Sequence, residues 1–399
     1  MTSSLSQLSG EPIAHEILDG AVLRAVGRAV AELRRGEAVL LSDGGECWAL
    51  LLAAEGIDGA GLARLRRLGG PSLGGGEPLL LLTRQRASRL GLATPIDRSL
   101  ALQDDAVVAL GTDGLRAESL AELADPSARR PTALPIRAGE SAGPALLPAP
   151  LLAAEAIALA KLARLLPAML MVPLDAADAE ALARRHDLLS VAAPAVEAYG
   201  LSAARSLEEV AAARVPLAAA EDTRIVAFRP ADGGIEHLAI IIGEPEPGSA
   251  VLTRLHSECF TGDLLGSLRC DCGDQLRGSI EAIAAEGAGI LLYLAQEGRG
   301  IGLVNKLRAY SLQDLGADTF EANQQLGFDA DERVYQPAAE MLRLLGFRAV
   351  RLLTNNPAKV AGLQRCGIAV KERVPHSFQS NGHNAFYLAT KAERGGHLF

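Results

Sequence analysis

Residues 259–272 read Cys259-Phe-Thr-Gly-Asp-Leu-Leu-Gly-Ser-Leu-Arg-Cys270-Asp-Cys272 and contain three of the chain's five cysteines. Thiolates are soft ligands that favour Zn²⁺, and three protein ligands leave a fourth tetrahedral position for water. Buried cysteines or a disulfide are the alternative, but the polar context of Cys270 and Cys272 suits a ligating turn better. His256 could be a fourth ligand, and no second ligand pair follows as a zinc ribbon would need. The stretch therefore predicts a catalytic zinc site.

The composition is that of a globular protein with ordinary cores. The chain has 399 residues, 49% of them hydrophobic and 22% charged, which is long enough for two domains. A formal net charge of −9 argues against general attraction to nucleic acid or to an anionic membrane. The odd, clustered cysteines and the absence of a signal-peptide pattern favour a reducing cytoplasm. Residues 151–174 are apolar, but charged residues and two prolines interrupt them, so we expect a core helix and not a membrane span.

The first half of the chain has the pattern of an α/β or α+β domain. Residues 110–150 are rich in Gly, Pro and Ser and predict a loop. His15 and His186 are isolated and predict no site. Hydrophobic periodicity predicts helices at 21–35 and 151–166 and strands at 38–42, 47–52, 79–83 and 169–174.

We place a domain boundary near residue 205. Residues 206–216 predict a short helix that ends at Pro216. Further strands are expected at 223–228, 237–242, 251–256, 289–294, 349–353 and 368–370, and helices at 274–286, 305–315, 337–345 and 358–366. The predicted fold class is therefore α/β (α+β), with domains 1–205 and 206–399 that each layer helices on a mixed β-sheet.

A glycine-rich turn, Gln296-Glu-Gly-Arg-Gly-Ile-Gly302, follows the strand predicted at 289–294. Glycines allow backbone N–H groups to approach phosphate oxygens, and Arg299 offers a bidentate partner. Most such turns are only tight turns, so the surrounding cations matter. Arg254, Lys306, Arg333 and Lys359 offer positive charge in an acidic domain, which predicts a small anionic substrate.

Five motifs in order resemble GTP cyclohydrolase II of riboflavin biosynthesis over residues 215–399. The motifs are Arg254-Leu-His-Ser-Glu-Cys-Phe-Thr-Gly-Asp263, Ser267-Leu-Arg-Cys-Asp-Cys-Gly273, Gln296-Glu-Gly-Arg299, Gly327-Phe-Asp-Ala-Asp-Glu-Arg333 and Leu353-Thr-Asn-Asn-Pro357. The resemblance implies that Cys259, Cys270 and Cys272 hold Zn²⁺, whose water attacks C8 of guanine so that the imidazole ring opens and formate leaves. It also implies pyrophosphate release, with Mg²⁺ on the phosphates, to give a 2,5-diaminopyrimidinone ribosylamino 5′-phosphate.

The resemblance also carries residue roles onto matching positions. It makes Asp331 the proton acceptor, Arg333 the nucleophile toward the α-phosphate and Tyr310 the active-site tyrosine. A guanidinium is essentially always protonated, so charge stabilisation is the more conservative task for Arg333, and residues 331–333 could also be a solvated turn with an ion pair. The GTP contacts that the resemblance implies are Arg254, Leu255, His256, Ser257, Glu258, Gln275, Glu297, Gly298, Arg299, Thr319, Thr354 and Lys359.

Residues 1–205 resemble 3,4-dihydroxy-2-butanone 4-phosphate synthase, to which this cyclohydrolase is fused in many bacteria. The synthase's acidic cluster and arginine after its first strand are replaced here by Asp43-Gly-Gly-Glu-Cys-Trp48. Its later Gly-His-Thr-Glu motif is absent from residues 139–155. We therefore expect a synthase-like, inactive domain that assists folding, dimerisation or regulation.

Two other functions stay open. A paralogue that acts on another nucleotide or base would keep the zinc chemistry with a changed base pocket. A zinc-stabilised nucleic-acid module is disfavoured by the acidic balance and by the lack of a basic, aromatic face. We expect GTP as the substrate, a homodimer, a cytoplasmic location, and no nucleic-acid or membrane partner.

Overall fold

Two seven-stranded mixed sheets dominate the structure, a computed structural model that describes residues 18–70, 76–92, 107–128 and 146–376. Strands between residues 39 and 192 form the first sheet, and strands between residues 208 and 374 form the second. Helices pack on both sheets, so the predicted fold class of two mixed sheets layered with helices is confirmed.

The first sheet is antiparallel except where β1 and β7 pair in parallel. Its strand order is β5-β4-β3-β6-β2-β1-β7. The strands are β1 (Val39–Ser42), β2 (Cys47–Ala53), β3 (Leu79–Thr83), β4 (Val107–Gly111), β5 (Leu146–Leu147), β6 (Ala168–Asp175) and β7 (Ser190–Ala192).

Seven helices accompany this sheet in the described part of the first half. They are α1 (Gly20–Arg35), α2 (Gly59–Leu68), α3 (Arg84–Arg89), α4 (Ala117–Ala124), α5 (Ala153–Leu162), α6 (Ala176–His186) and α7 (Ala193–Arg205). The helix predicted at 21–35 is confirmed as α1, which Asp19 caps by accepting from the Ala21 N–H and which ends at the left-handed Gly36.

The second sheet places four parallel strands side by side, since β13 also pairs in parallel with β14. Strand β11 pairs in parallel with β12 on one side and with β13 on the other, while β8, β9 and β10 form an antiparallel extension. The order is β14-β13-β11-β12-β10-β9-β8. The strands are β8 (Glu208–Arg214), β9 (Thr223–Arg229), β10 (His237–Ile242), β11 (Val251–Ser257), β12 (Gly289–Leu294), β13 (Ala349–Leu353) and β14 (Ala369–Val374).

Up to residue 376, the helices of the second half are α8 (Cys272–Glu286), α9 (Leu303–Asp314), α10 (Thr319–Gln325), α11 (Gln336–Leu344) and α12 (Pro357–Arg365). A π-helical turn at Phe260–Leu264 follows β11, and a 3₁₀ turn at Glu297–Gly300 follows β12. Both short turns lie just beyond the carboxyl ends of adjacent parallel strands, the edge where open α/β sheets usually bind ligands.

The helix predicted for residues 206–216 is wrong, because this segment is strand β8. Its Glu-Glu-Val-Ala-Ala-Ala-Arg sequence has helical propensity, but every residue is exposed and the segment pairs antiparallel with β9 at the sheet edge. Main-chain pairing with a neighbour outweighs a weak local preference here.

The loop predicted for residues 110–150 is partly wrong. Residues 117–124 form α4, which buries Leu120 and Leu123 at the expected helical spacing. Residues 129–145, which include residues 139–145 of the stretch compared with the synthase motif, lie outside the described residues, as does His15. The apolar stretch 151–174 forms α5 and β6, and none of the helices in the described ranges is long and apolar enough to span a membrane.

Ion pairs join the two halves of the chain. Arg308 on α9 contacts Glu55 and Asp125 of the first half, each at 3.1 Å. Lys161 on α5 contacts Asp329 and Glu332 of the second half, each at 2.9 Å. The first half therefore packs directly against segments that flank the glycine-rich turn.

Candidate active site

Three cysteine sulfurs meet beside the carboxyl edge of the second sheet. Cys259 follows the end of β11, and Cys270 and Cys272 lie at the start of α8. The Sγ atoms of Cys259 and Cys270 are 3.7 Å apart, and all three Sγ atoms lie within 4.8 Å of one another. No other group of three or more His, Cys, Asp or Glu side chains among the described residues is arranged to hold a metal ion.

The geometry fits a tetrahedral zinc. Two thiolates that each lie about 2.3 Å from one zinc ion are separated by roughly 3.8 Å, close to the observed spacing. Gly262 closes over the group, because a Cβ there would lie 2.8 Å from the Cys270 sulfur and 3.0 Å from the Cys259 sulfur. The sequence folds into a cradle that a larger residue at position 262 would fill.

A buried lysine stabilises negative charge on this cluster. The Lys306 Nζ atom donates to Cys259 Sγ and Thr261 Oγ1 at 3.0 Å each, and to Glu297 Oε1 at 2.8 Å. Hydrogen bonds from the other two thiols, followed by Lys306, lower the pKa of Cys259. The shared contact with Cys259 raises the pKa of Cys270 to about 11, so the sulfurs do not all ionise without further positive charge. A divalent cation would supply that charge.

His256 does not complete the cluster. Its Nε2 atom lies 3.0 Å from Asp263, and its ring stacks on Tyr293 with centroids 5.5 Å apart. Among the described residues, only the three cysteines form the metal-binding group. The possibility that His256 is a fourth ligand is therefore not supported by its position.

A cavity of about 410 Å³ opens over the sulfurs. All the predicted site residues line it except Leu255, whose side chain is buried in the core of the second sheet, and Asp331, which reaches the site through its ion pair with Arg333. The predicted residues that line it are Arg254, His256, Ser257, Glu258, Cys259, Cys270, Cys272, Gln275, Glu297, Gly298, Arg299, Tyr310, Thr319, Arg333, Thr354 and Lys359.

The glycine-rich turn differs from the expected phosphate cradle. The N–H groups of Gly298, Gly300 and Gly302 all donate within the turn, to Glu297 Oε1, Gln296 O and Glu297 O respectively. These N–H groups are therefore not available to phosphate, contrary to the prediction. Gly298 and Arg299 share a left-handed conformation with φ of 64°, which aims the Arg299 side chain across the Phe320 ring at 4.7 Å.

Two further cations are fixed by backbone carbonyls of the sheet. Arg254 is 4% exposed and donates to Leu353 O at 2.9 Å. Lys359, in the first turn of α12, donates to Leu255 O at 2.8 Å. Burial lowers the pKa of Arg254 to about 10, which still leaves it charged at neutral pH. These side chains supply fixed positive charge next to the N-terminus of α12, a favourable position for an anion.

Asp331 and Arg333 form a close ion pair. Arg333 donates from Nε to Asp331 Oδ1 at 2.8 Å and from Nη2 to Asp331 Oδ2. Burial raises the pKa of Asp331, but Arg333 and Arg299 outweigh burial and hold it below its usual value. The carboxylate is therefore ionised and favours the charged form of Arg333.

Tyr310 projects from α9 toward the π-helical turn Phe260–Leu264. Its hydroxyl lies 3.3 Å from Thr261 Oγ1, two residues beyond Cys259. Arg269 lies over the Tyr310 ring at 4.9 Å from the centroid. Burial raises the pKa of Tyr310, so the phenol stays protonated and can donate a hydrogen bond at neutral pH.

Three buried polar atoms without a hydrogen-bond partner among the described residues belong to residues of the same cavity. They are Arg254 Nε, His256 Nδ1 and Asn323 Nδ2. Leaving such atoms unpaired is costly unless a ligand or water binds them, so the cavity is suited to a polar ligand. Asn323, on α10, is a cavity residue that the sequence does not predict, because an isolated Asn on a short helix has no distinguishing sequence pattern.

Comparisons with known proteins agree with these features. A family profile described as GTP cyclohydrolase II matches residues 208–375. A GTP cyclohydrolase-2 from Azospirillum brasilense is 53% identical over 396 residues, which cover 98% of each chain. A GTP cyclohydrolase-2 from Azotobacter vinelandii is 61% identical over 165 residues, which cover 41% of this chain and 79% of that protein.

Among solved structures, a two-domain 3,4-dihydroxy-2-butanone 4-phosphate synthase from A. baumannii aligns over 88% of this chain and 99% of its own, with 18% identity and a TM-score of 0.33. A score this low does not establish a common fold. The near full-length match to the A. brasilense protein does establish the family. By that match, the chain belongs to the GTP cyclohydrolase II family.

Proposed function

We propose that the protein hydrolyses GTP as a zinc-dependent GTP cyclohydrolase II, opening the guanine imidazole ring and releasing formate and pyrophosphate. The product would be 2,5-diamino-6-hydroxy-4-(5-phosphoribosylamino)pyrimidine, the first intermediate of riboflavin biosynthesis. The observation that carries this proposal is the meeting of three cysteine sulfurs, a protonated tyrosine and several cations around one cavity. Ring opening and phosphate cleavage need those groups within reach of a single nucleotide.

The sulfur cluster is the ring-opening end of the site. Zinc held by Cys259, Cys270 and Cys272 would supply the Lewis acidity that activates water for attack on C8 of guanine. Lys306 holds the Cys259 thiolate, and Gly262 leaves room beside the sulfurs. We infer that Tyr310, whose hydroxyl lies 3.3 Å from Thr261 Oγ1, donates a hydrogen bond to the developing oxyanion or to the amine nitrogen at the opened ring.

The cationic side of the cavity would bind the triphosphate. Arg254, Arg299, Arg333 and Lys359 line it, and the N-terminus of α12 adds the positive end of a helix dipole. Fixed cations of this kind stabilise the charge that develops when pyrophosphate leaves. Mg²⁺ on the phosphates would neutralise the remaining charge.

We assign Arg333 to charge stabilisation and not to covalent attack. A nucleophilic guanidine would have to lose a proton, and Asp331 would be the acceptor. The bidentate contact with an ionised Asp331 favours the protonated guanidinium instead. In this role Asp331 orients Arg333 toward the phosphates.

The direct test incubates zinc-loaded, full-length protein with GTP and measures formate and pyrophosphate separately. We expect both products in equal amounts. Parallel reactions with ATP, ITP and XTP test the alternative that the base pocket selects another purine. Formate from one of these and none from GTP would replace the proposal with a paralogue of different base specificity. No formate from any of them would contradict ring opening.

For the first domain we propose a synthase-like but inactive role. Asp43, which stands where the synthase needs an acidic metal site, accepts from the N–H groups of Gly45 and Cys47 and so forms the β1–β2 turn. The protein should therefore not convert ribulose 5-phosphate with Mg²⁺ or Mn²⁺. Detectable butanone phosphate in a clean preparation would contradict this.

We also propose a cytoplasmic homodimer. All five cysteines are free thiols, and the three at the cavity need a reducing compartment to stay able to bind metal. Phe260, Leu264 and Leu265, in and just after the π-helical turn, and Val304 and Leu307 on α9 are exposed apolar side chains that suit a subunit interface. Sedimentation of the purified protein tests the dimer.

A further inference from the structure

Arg164, a residue of the first domain, occupies a backbone position that normally holds glycine. Helix α5 ends in a Schellman motif, in which the N–H of Arg164 donates to Lys161 O at 2.9 Å and the N–H of Leu165 donates to Ala160 O at 3.1 Å. Arg164 has φ of 55°, the left-handed conformation that disfavours residues with a side chain. A residue other than glycine adopts this conformation at an energetic cost. That cost indicates that the Arg164 side chain has a functional or structural role at this position.

The side chain of Arg164 crosses into the second domain and contacts the beginning of the glycine-rich turn. Its Nη2 atom donates to Ala295 O at 2.8 Å, directly after β12. The N–H of Ala295 donates to His237 Nδ1 at 3.0 Å, so both backbone groups of this residue are held. The start of the turn is thereby fixed from the first domain and from β10.

Arg164 also contacts the end of the same turn. Asn305, which is fully buried, donates from Nδ2 to Arg164 O at 3.0 Å and to Ile301 O at 3.0 Å. Gly302 packs on the arginine stem so closely that a Cβ there would lie 3.2 Å from Arg164 Cβ. One residue of the first domain therefore contacts both ends of the segment that carries Glu297 and Arg299.

The charge of Arg164 faces the site as well. Its guanidinium interacts electrostatically with the carboxylates of Glu258 and Glu297, and also with Arg34 and His237. Glu258 and Glu297 line the cavity, and Glu297 accepts from Lys306 and from the Phe260 N–H. Arg164 therefore lies behind the wall of the cavity, without lining it.

We propose that Arg164 is a positioning residue for the cyclohydrolase site, which makes the first domain a structural part of that site. It holds residues 295–302 so that Arg299 and Glu297 keep their places at the cavity. The inference rests on the proposed function only in that this turn contacts GTP. Its role in positioning the turn follows from the contacts at both ends.

The test compares full-length variants R164G, R164K and D187G. Glycine keeps the left-handed backbone at position 164 and removes only the side chain. Asp187 is an exposed residue in the same conformation, with φ of 53°, at the end of α6, so D187G controls for the backbone change. For each variant we would measure KM and kcat for formate release, zinc content and the thermal midpoint.

We expect R164G to raise the KM for GTP about tenfold, the effect of losing one oriented contact, while zinc content stays stoichiometric and the thermal midpoint does not fall. R164K should recover part of the loss, because lysine keeps a donor and the charge. D187G should match the wild type.

An unchanged KM in R164G, a loss of zinc or of thermal stability that accounts for the change, or no recovery in R164K would each overturn the proposal. A wild type that binds GTP without releasing formate would contradict the proposed chemistry alone, and GTP affinity would then replace KM in the same comparison.

Discussion

The two sheets have the same number of strands but use their polar residues differently. In the first sheet, Asp43 accepts hydrogen bonds from backbone N–H groups of the turn between antiparallel β1 and β2, so its carboxylate stabilises that turn. In the second, β11 lies in parallel register between β12 and β13, so the segments after all three strands emerge at one edge. Those segments carry Cys259, Arg299 and Thr354 to a single cavity. Parallel pairing brings the loops that follow neighbouring strands, with their functional side chains, to one edge of the sheet. Antiparallel pairing places successive loops at opposite edges.

The largest effect should come from removing a sulfur at that edge. Cys270→Ser should lose zinc and lower formate release by roughly a thousandfold or more, because an alcohol binds zinc far less well than a thiolate does. Metal analysis and a formate assay on the same sample provide the measurement. Cys366→Ser, at the end of α12, is the matched control and should keep both. Formate release by metal-free Cys270→Ser would contradict the expectation that the edge of the second sheet carries a metal-dependent reaction.

A smaller loss is expected at the phosphate side of the same edge. Arg333→Ala should raise the activation free energy of pyrophosphate release by about 3 kcal/mol. This is the usual cost of deleting a charged group that stabilises the transition state. Arg277→Ala, which removes an exposed arginine paired with Asp274 on α8, should have little effect. Equal rates for Arg333→Ala and the wild type would show that residues 331–333 are only a surface ion pair.

Tyr310→Phe tests whether formate release and pyrophosphate release depend on different residues of the cavity. Because the phenol is protonated and near the sulfur cluster, its removal should slow formate release about tenfold while pyrophosphate release persists. An N-formylated pyrimidine monophosphate should then accumulate and be visible by mass spectrometry. Equal losses of formate and pyrophosphate would place Tyr310 in an earlier step shared by both products.

The smallest effect should come from the contact between the domains. Lys161→Met leaves Asp329 and Glu332 without their shared cation, and we expect a lower thermal midpoint corresponding to about 1 kcal/mol. Arg184→Met, at an exposed helical pair with Glu180, should be neutral. A Lys161→Met protein as stable as the wild type would mean that this ion pair does not hold the domains together.

The sequence predicted the sulfur cluster well because its ligands are close in the chain. Fourteen residues contain Cys259, Cys270 and Cys272, so one strand end and one helix start bring them together without help from distant segments. Most strands of both sheets were also predicted, since their apolar runs are bounded by Gly, Asp or Pro. Short-range sequence patterns were therefore sufficient to predict the features that are formed by residues close in the chain.

Prediction failed where long-range contacts decide. The sequence of β8 favours a helix, and only its pairing with β9 makes the segment a strand. In the sequence Arg164 is only one of the charges that interrupt an apolar stretch, since its contact with Ala295 spans 131 residues. The hydrogen bonds that occupy the glycine N–H groups of the 297–302 turn likewise cannot be inferred from composition.

Strand β8 has a consequence for how copies of the protein meet one another. Among the described residues it forms an edge of the second sheet, a position where a strand from another molecule could be added. Glu208, Glu209 and Arg214 place charges along that edge, and the residues between Val210 and Arg214 are alanines. Charged edges discourage fibre-like growth, so Glu209→Val should make the concentrated protein prone to aggregation without changing its turnover of GTP.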